Sequence, residues 1–186
     1  MNGILRVAAA ALLLHITPVV VLIKRPAAVQ ALLPGASAYF QRDLHLSDRD
    51  AHRLHEVVDW SPENDVLTFY LGRAGSTAVG ALEFVRVDTP HGPIEVAVGF
   101  TPDGAVRQVL VTKATVEMKP WVQDAEAAGL MGSYAGLQPA QSPTGAAAIT
   151  GKTGALALYV AGEVDKGVQR ALTAYRLFYQ PAATRS

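Results

Sequence analysis

The chain has no cysteine among its 186 residues. Without thiols it cannot build a disulfide framework, a thiolate nucleophile, an iron–sulfur centre or a cysteine-zinc site. It also lacks an excess of charge of either sign, because 16 Lys and Arg balance 16 Asp and Glu. No basic stripe is present that could neutralise a run of phosphates, so the sequence argues against nucleic acid as a partner.

The most prominent feature is an apolar stretch from Ile4 to Ile23. Four residues interrupt it: Arg6, His15, Thr17 and Pro18. At a helical rise of about 1.5 Å per residue, such a stretch matches the ~30 Å hydrocarbon core of a bilayer. The pattern predicts a single transmembrane anchor over residues 1–25, with residues 4–23 in the lipid.

A cleavable secretory signal is the alternative to a retained anchor. Ala36-Ser37-Ala38 provides small residues for cleavage, but it lies far beyond the usual distance from the apolar stretch. Orientation is left open by charge, since Arg6 lies on one side and Lys24 with Arg25 on the other.

The remaining length is sufficient for one domain with its own core. We predict a connector over residues 26–40, amphipathic or extended, then a globular domain over 41–180 and a tail over 181–186. Ser47, followed by an acid three residues later, indicates a helix start. Apolar residues at helical spacing predict that this helix ends near Val58.

The middle of the chain changes to short β-branched and aromatic runs separated by turn residues. These runs predict an antiparallel meander with strands over Val66–Leu71, Val79–Val87, Ile94–Phe100 and Val106–Thr112. Ile94 to Phe100 alternates strictly, and Thr101-Pro102-Asp103-Gly104 supplies the following turn.

Two further helices follow the meander. One is predicted around Val122 to Ala128, and a longer one over Ala155 to Tyr179. The long helix has an apolar stripe: Val160, Val164, Val168, Leu172 and Tyr175. The fold class is therefore predicted as α+β, an antiparallel sheet with flanking helices.

Gly151-Lys152-Thr153 is similar to the end of a phosphate-binding loop of nucleotide triphosphatases. The spacing fails, because Ala146 occupies the position of the required first glycine. The short helical remainder leaves no room for the parallel strands and Mg²⁺-binding aspartate of that fold. A nucleotide triphosphatase is not predicted.

His52 and His55 lie one helical turn apart, with His45 upstream and Glu56 adjacent. Imidazoles at this spacing suit a shared metal, but the surrounding charged residues favour a solvated helix face. We predict no metal site. No nucleophile motif is present either, so no catalytic residue is assigned.

Glu117, Lys119 and Trp121 follow the last predicted strand. A carboxylate, an ammonium and an indole in this position suit either the lining of a pocket or a polar rim at a strand end. Both interpretations stay open at this point.

Two segments carry a resemblance to a known family. They are Leu32-Leu33-Pro34-Gly35-Ala36 and the run from Gly92 to Gly104, which follows a Gly-x-Ile-x-Val-x-Val-Gly pattern with a closing Asp-Gly. Over about residues 32–179 the chain resembles the FMN-binding domain family of Rnf-type and sodium-pumping NADH:quinone reductase complexes. That resemblance implies an FMN-binding-like domain on the extracytoplasmic side of a membrane.

The resemblance also implies a flavin site. In the family, a hydroxyl just before the C-terminal helix takes FMN through a phosphoester, and Thr153 falls at that place. Thr150 and Gly151 would form the phosphate turn, and Glu117, Lys119 and Trp121 would lie near the flavin. Lys152, which replaces the family's alanine, would pair only with a phosphate held non-covalently. The family's aspartate is replaced by Ala147 and its alanine by Lys152, which favours the loss of covalent flavin.

The sequence therefore predicts an accessory, non-catalytic subunit of a respiratory or photosynthetic electron-transfer membrane complex. It would lie in the bacterial inner membrane with a periplasmic domain, beside the complex's other subunits, and carry no cofactor. The alternative is a working electron carrier with FMN linked at Thr153. A tethered ligand-binding domain is a third candidate, for which no pocket signature exists.

Overall fold

The computed structural model describes residues 17–179. Within them one antiparallel sheet has six strands in the order β1-β6-β5-β4-β3-β2. The strands are β1 Val19–Val21, β2 Ala38–His45, β3 Val66–Ala74, β4 Thr77–Val87, β5 Ile94–Phe100 and β6 Val106–Thr115. The prediction of an α+β fold with an antiparallel sheet and flanking helices is confirmed.

Helices flank this sheet on both faces. The α-helices are α1 Arg25–Leu32, α2 Asp48–Val58, α3 Lys119–Ala127, α4 Gly145–Ala148 and α5 Ala155–Ala174. Short 3₁₀ helices cover Glu63–Asp65 and Met131–Tyr134. A π-helical segment over Tyr175–Tyr179 extends α5. The four strands and three helices predicted from the pattern are all present, with ends shifted by a few residues.

The hairpin of β5 and β6 follows directly from its sequence. Alternate residues of β5 point into the larger core, and the turn closes with the Thr101 N–H donating to the Ala105 carbonyl at 2.9 Å. Gly104 has φ of 92°, which favours glycine at that turn position.

Helix α5 covers one face of the sheet. Its predicted stripe is buried throughout, from Val160 to Tyr175. Gly167 lies against Val96 of β5, where an added Cβ would come within 2.9 Å of a valine methyl carbon. The absence of a side chain at Gly167 therefore sets how closely the helix approaches the sheet.

The other face is covered by α1. Leu32 and Leu33 pack against Leu82 and Ala97 in a second, smaller core. The segment predicted as a connector over residues 26–40 thus contains this helix and the start of β2. Proline in the first turn of α1 is compatible with the helix because the first N–H groups have no partner inside the helix.

Helix α2 begins as predicted. The Ser47 side chain accepts a hydrogen bond from the Asp50 N–H at 3.2 Å, and the helix ends at Val58. Asp59 follows in the left-handed conformation with φ of 45° and terminates the helix.

The predicted anchor is corrected at its C-terminal end. Val19–Val21 do not continue a helix but form β1, which pairs with β6 through Val19 opposite Thr115. Consecutive β-branched residues favour a strand, and β6 offers a free edge to pair with. The rest of the predicted span, residues 4–16, lies outside the described residues.

In residues 17–179, none of the helices combines the length and the apolar character that crossing a bilayer requires.

Strand β2 was not predicted. It pairs with β3 along its whole length, with Arg42 opposite Phe69 and Leu44 opposite Leu67. Its side chains are mostly exposed and polar, so the strand has little of the apolar alternation that marks a half-buried strand.

Candidate functional site

The candidate site lies where the β4–β5 turn meets the end of β6. Thr89 shapes this turn: its hydroxyl oxygen accepts from the His91 N–H at 3.0 Å and donates to the Gly92 carbonyl at 2.8 Å. Gly92 has φ of 93° and lies against the methyl group of Thr115. The turn is thereby held beside β6, and it presents the His91 side chain.

His91 is the centre of the site. Its Nδ1 lies 3.2 Å from Oε1 of Glu117, two residues after the end of β6. The imidazole packs edge-to-face on Trp121 of α3, with ring centroids 5.0 Å apart. It packs in the same way on Tyr159 of α5, at 5.3 Å. We call His91, Glu117, Trp121 and Tyr159 the His91 cluster.

The chemistry of the cluster follows from these contacts. A carboxylate beside Nδ1 orients an imidazole and favours the tautomer with its proton on Nδ1. The Tyr159 hydroxyl is buried without a hydrogen-bond partner among the described residues. The site thus holds an imidazole against two large aromatic side chains.

The three aromatic rings of the cluster contact one another. The indole of Trp121 and the phenol of Tyr159 have ring centroids 6.5 Å apart, so with His91 they form a triangle rather than a stack.

The predicted phosphate turn comes immediately before α5. Gly151 has φ of 79°, and the Lys152 N–H donates to the Ile149 carbonyl at 3.0 Å. The Thr150 hydroxyl donates to the Ala146 carbonyl at 3.0 Å, so it is used within the turn itself. Lys152 is exposed and Thr153 is half-buried.

Gly154 occupies the N-cap position of α5, and no side chain caps the helix. Thr153 therefore immediately precedes the N-cap position. Tyr159 is the fifth residue of α5, and the predicted phosphate turn comes just before this helix. The His91 cluster and the turn therefore lie near the same end of α5.

Asp165 organises the segment that precedes this turn. Its carboxylate accepts from the N–H groups of Gly145 at 2.9 Å and Ala146 at 3.0 Å. It also accepts from the Tyr134 hydroxyl at 2.8 Å. Burial and the neighbouring Asp165 carboxylate raise the pKa of Tyr134 well above its usual value. The phenol is a permanent donor, and the segment is held in place by the protein's own groups.

The structure brings together only some of the predicted site residues. Glu117 and Trp121 meet at His91, whereas Lys119 is an exposed first residue of α3. His91, Tyr159 and Asp165 were not predicted. The only local signal for His91 was a polar ring between two prolines in a turn, at Pro90 and Pro93.

The histidines of α2 lie on the exposed surface of this helix. His52 pairs with Glu56 at 3.2 Å and His55 with Asp59 at 3.6 Å, and all four side chains are exposed. Among residues 17–179, no group of three or more His, Asp or Glu side chains is arranged to hold a metal ion.

Two cavities lie elsewhere on the domain. The larger, about 1200 Å³, opens near the start of β3, and its lining includes Trp60, Phe84 and Arg170. The smaller, about 510 Å³, lies between α2 and α5 near Glu163 and Lys166. Neither is lined by the His91 cluster or by the predicted phosphate turn.

Comparison with known proteins places no constraint on this site. No protein-family model matches the chain, and no curated protein matches its sequence. The functional argument therefore rests on the fold and the surface of the described domain.

Proposed function

We propose that the chain is a membrane-associated accessory subunit of a respiratory or photosynthetic electron-transfer complex. Its domain is FMN-binding-like and carries no covalently linked flavin. The domain lies on the periplasmic side of the bacterial inner membrane, where the apolar N-terminal stretch tethers it.

The observation that carries this proposal is an apolar strip at the β1 edge of the sheet. Val19 and Val21 of β1 are 47% and 57% exposed, and Val116 is exposed beside them. The Val116 N–H donates to the Pro18 carbonyl at 2.9 Å, which fixes these residues together. Exposed apolar side chains grouped at one edge are typical of a surface that contacts lipid or another subunit.

The position of this strip supports membrane association. It lies where the chain leads back to the apolar residues 4–16. A domain tethered at this point would present the β1 edge toward the bilayer and toward neighbouring membrane subunits.

Two substitutions in the resembled motif support the loss of covalent flavin. Lys152 stands where the resembled family has its alanine, and it is exposed. Ala147 stands where the resembled family has its aspartate. A domain that has kept the architecture without the cofactor is suited to an assembly or structural role.

The experiment is a co-purification from native membranes. Val21→Glu should reduce the recovery of associated subunits by about tenfold, which corresponds to about 1.4 kcal/mol, because burying a charge at an apolar contact surface is unfavourable. Val57→Glu is the matched control, since Val57 is exposed to a similar degree but lies on α2. Equal recovery with both variants would contradict the proposal.

A working FMN carrier is the second candidate. The N–H groups in the first turn of α5 have no side-chain cap, and Thr153 lies half-buried beside them. Such a helix end suits a phosphate. A yellow protein whose flavin absorbance disappears in Thr153→Ala would establish this function instead, with Thr150→Ala as the control.

A further inference from the structure

Strand β2 forms one edge of the sheet and has eight residues. In an antiparallel pair, alternate residues direct their N–H and C=O groups toward one neighbour. Within the described residues β2 has β3 as its only neighbour, so half of its backbone groups face outward. An edge of this length is a template for pairing with another strand.

The side chains along β2 make this edge unusual. Phe40 is 50% exposed and Tyr39 is 42% exposed, although both are large aromatic residues. Phe40 and Arg42 lie on the α5 face of the sheet, because their partners in β3 include Phe69. Tyr39 and Asp43 lie on the opposite face.

We propose that two copies of this chain associate through their β2 strands, antiparallel about a two-fold axis at Gln41, to form one continuous sheet. A two-fold axis perpendicular to the sheet preserves its faces, so only residues of the same face can lie opposite each other. This restricts the pairing to registers centred on a residue.

The charges on the β2 side chains favour one of the registers that are centred on a residue. With Gln41 opposite Gln41, Phe40 lies opposite Arg42 of the second copy, and Tyr39 lies opposite Asp43. An arginine beside an aromatic ring and a phenol beside a carboxylate are both favourable cross-strand neighbours. Each occurs twice because of the symmetry.

The neighbouring registers bring like charges together. Centring the pair on Arg42 places two guanidinium groups opposite each other, and centring it on Asp43 places two carboxylates opposite each other. Like charges directly opposite in a sheet are destabilising. Centring on Phe40 avoids this but shortens the paired segment.

The first test is disulfide trapping in the full chain, purified in detergent. The chain has no cysteine, so single-cysteine variants report one contact each. Gln41→Cys should form a crosslinked dimer, because directly opposite residues lie about 4.5–5.5 Å apart, within disulfide range. Arg42→Cys should crosslink weakly, since its counterpart is a diagonal neighbour. Asp48→Cys, on the surface of α2, should stay uncrosslinked.

The second test uses two variants with the same change in charge. Tyr39→Glu places a carboxylate opposite Asp43 twice, and should raise the dimer Kd about tenfold. Phe40→Glu places a carboxylate opposite Arg42 twice, and should keep or lower the Kd. Sedimentation velocity of the full chain in detergent measures both.

Equal effects of these two variants would overturn the proposed register. A monomer at all concentrations without a crosslink at Gln41→Cys would overturn the dimer. Self-association through residues 4–16 alone would leave both variants indistinguishable from the unmodified chain, and would also count against the proposal.

Discussion

The two faces of the sheet each bury one glutamate, and the two glutamates behave in opposite ways. Glu83 in β4 is 2% exposed under α5, and one of its carboxyl oxygens has no partner among the described residues. Glu95 in β5 is 9% exposed on the α1 face. Its carboxylate accepts from Arg25 at 2.8 Å, Lys113 at 3.0 Å and Thr112 at 2.8 Å.

The pKa values follow this difference. Burial raises the pKa of Glu83 well above its usual value. Burial also pushes the pKa of Glu95 upward, but the hydrogen bonds from Arg25, Thr112 and Lys113 outweigh it and lower that pKa. Burial alone therefore does not decide whether a carboxyl is charged. The donors on each face decide it.

The largest expected effect concerns the apolar part of each face. Leu172→Ala on α5 should lower the free energy of unfolding by about 3 kcal/mol, because it leaves a cavity in the main core. Leu32→Ala on α1 should cost about 2 kcal/mol, since a short helix can close part of the gap. Both leucines are fully buried, which makes them a matched pair for urea unfolding.

Hydrogen exchange can test whether the α1 face opens separately from the α5 face. Leu32→Ala should speed exchange in α1 before the rest of the domain, whereas Leu172→Ala should speed it throughout. Uniform acceleration by Leu32→Ala would show that the α1 face is not a separate, weaker layer.

Removing the satisfied carboxylate should have the next largest effect. Glu95→Ala leaves the Thr112 hydroxyl buried without its carboxylate partner and frees Arg25 at the start of α1. Arg25 and Lys113 are 50% and 35% exposed at the side chain, so water replaces part of what they lose. We expect a loss of about 2 kcal/mol at pH 7 by urea unfolding.

The stability difference between Glu95→Ala and the unmodified chain should depend on pH. The folded pKa of Glu95 is depressed, so its contribution is present above the unfolded pKa and is lost as pH falls through the folded value. Glu95→Ala and the unmodified chain should therefore become closer in stability in acid. A gap that widens below pH 4 would contradict the ion network.

Glu83 should show the opposite behaviour. Its folded pKa is raised, so it is compatible with folding when protonated and destabilises the fold as pH rises above the unfolded pKa. Glu83→Gln, a near-isosteric neutral replacement, should stabilise the domain by about 1 kcal/mol or more at pH 7. The difference should vanish near pH 4. A destabilised variant at pH 8 would show that the Glu83 charge is used.

The smallest expected effect is at a surface cap. Ser47→Ala removes the acceptor for the Asp50 N–H and should cost about 1 kcal/mol. Ser47→Thr is the control, because threonine also caps helices and keeps a hydroxyl beside the Asp50 carboxylate, and it should restore most of the stability. Thermal unfolding measures both.

Much of the fold could be predicted from the sequence because the larger core has strong periodicity. The strict alternation of β5 and the apolar stripe of α5 predicted their buried faces correctly. Strand β2 escaped prediction because its exposed, polar residues depend on pairing with β3 rather than on burial. The short strand β1 was obscured by the apolar stretch that contains it.

The candidate site could be predicted only in part. Glu117 and Trp121 were recognisable by type and position, but their meeting point is His91, which lies in a turn remote in sequence. No periodic pattern reports that a turn between β4 and β5 contacts α3 and α5. Such contacts arise from the pairing of β5 with β6, which brings the ends of these strands together.

The most direct measurement is the intact mass and visible absorbance of the chain after its denaturing separation from complexes isolated from native membranes. The proposed function predicts a bare polypeptide mass, no flavin absorbance and other membrane subunits in fixed stoichiometry. A mass increased by one FMN, with flavin absorbance and no associated subunits, would contradict it.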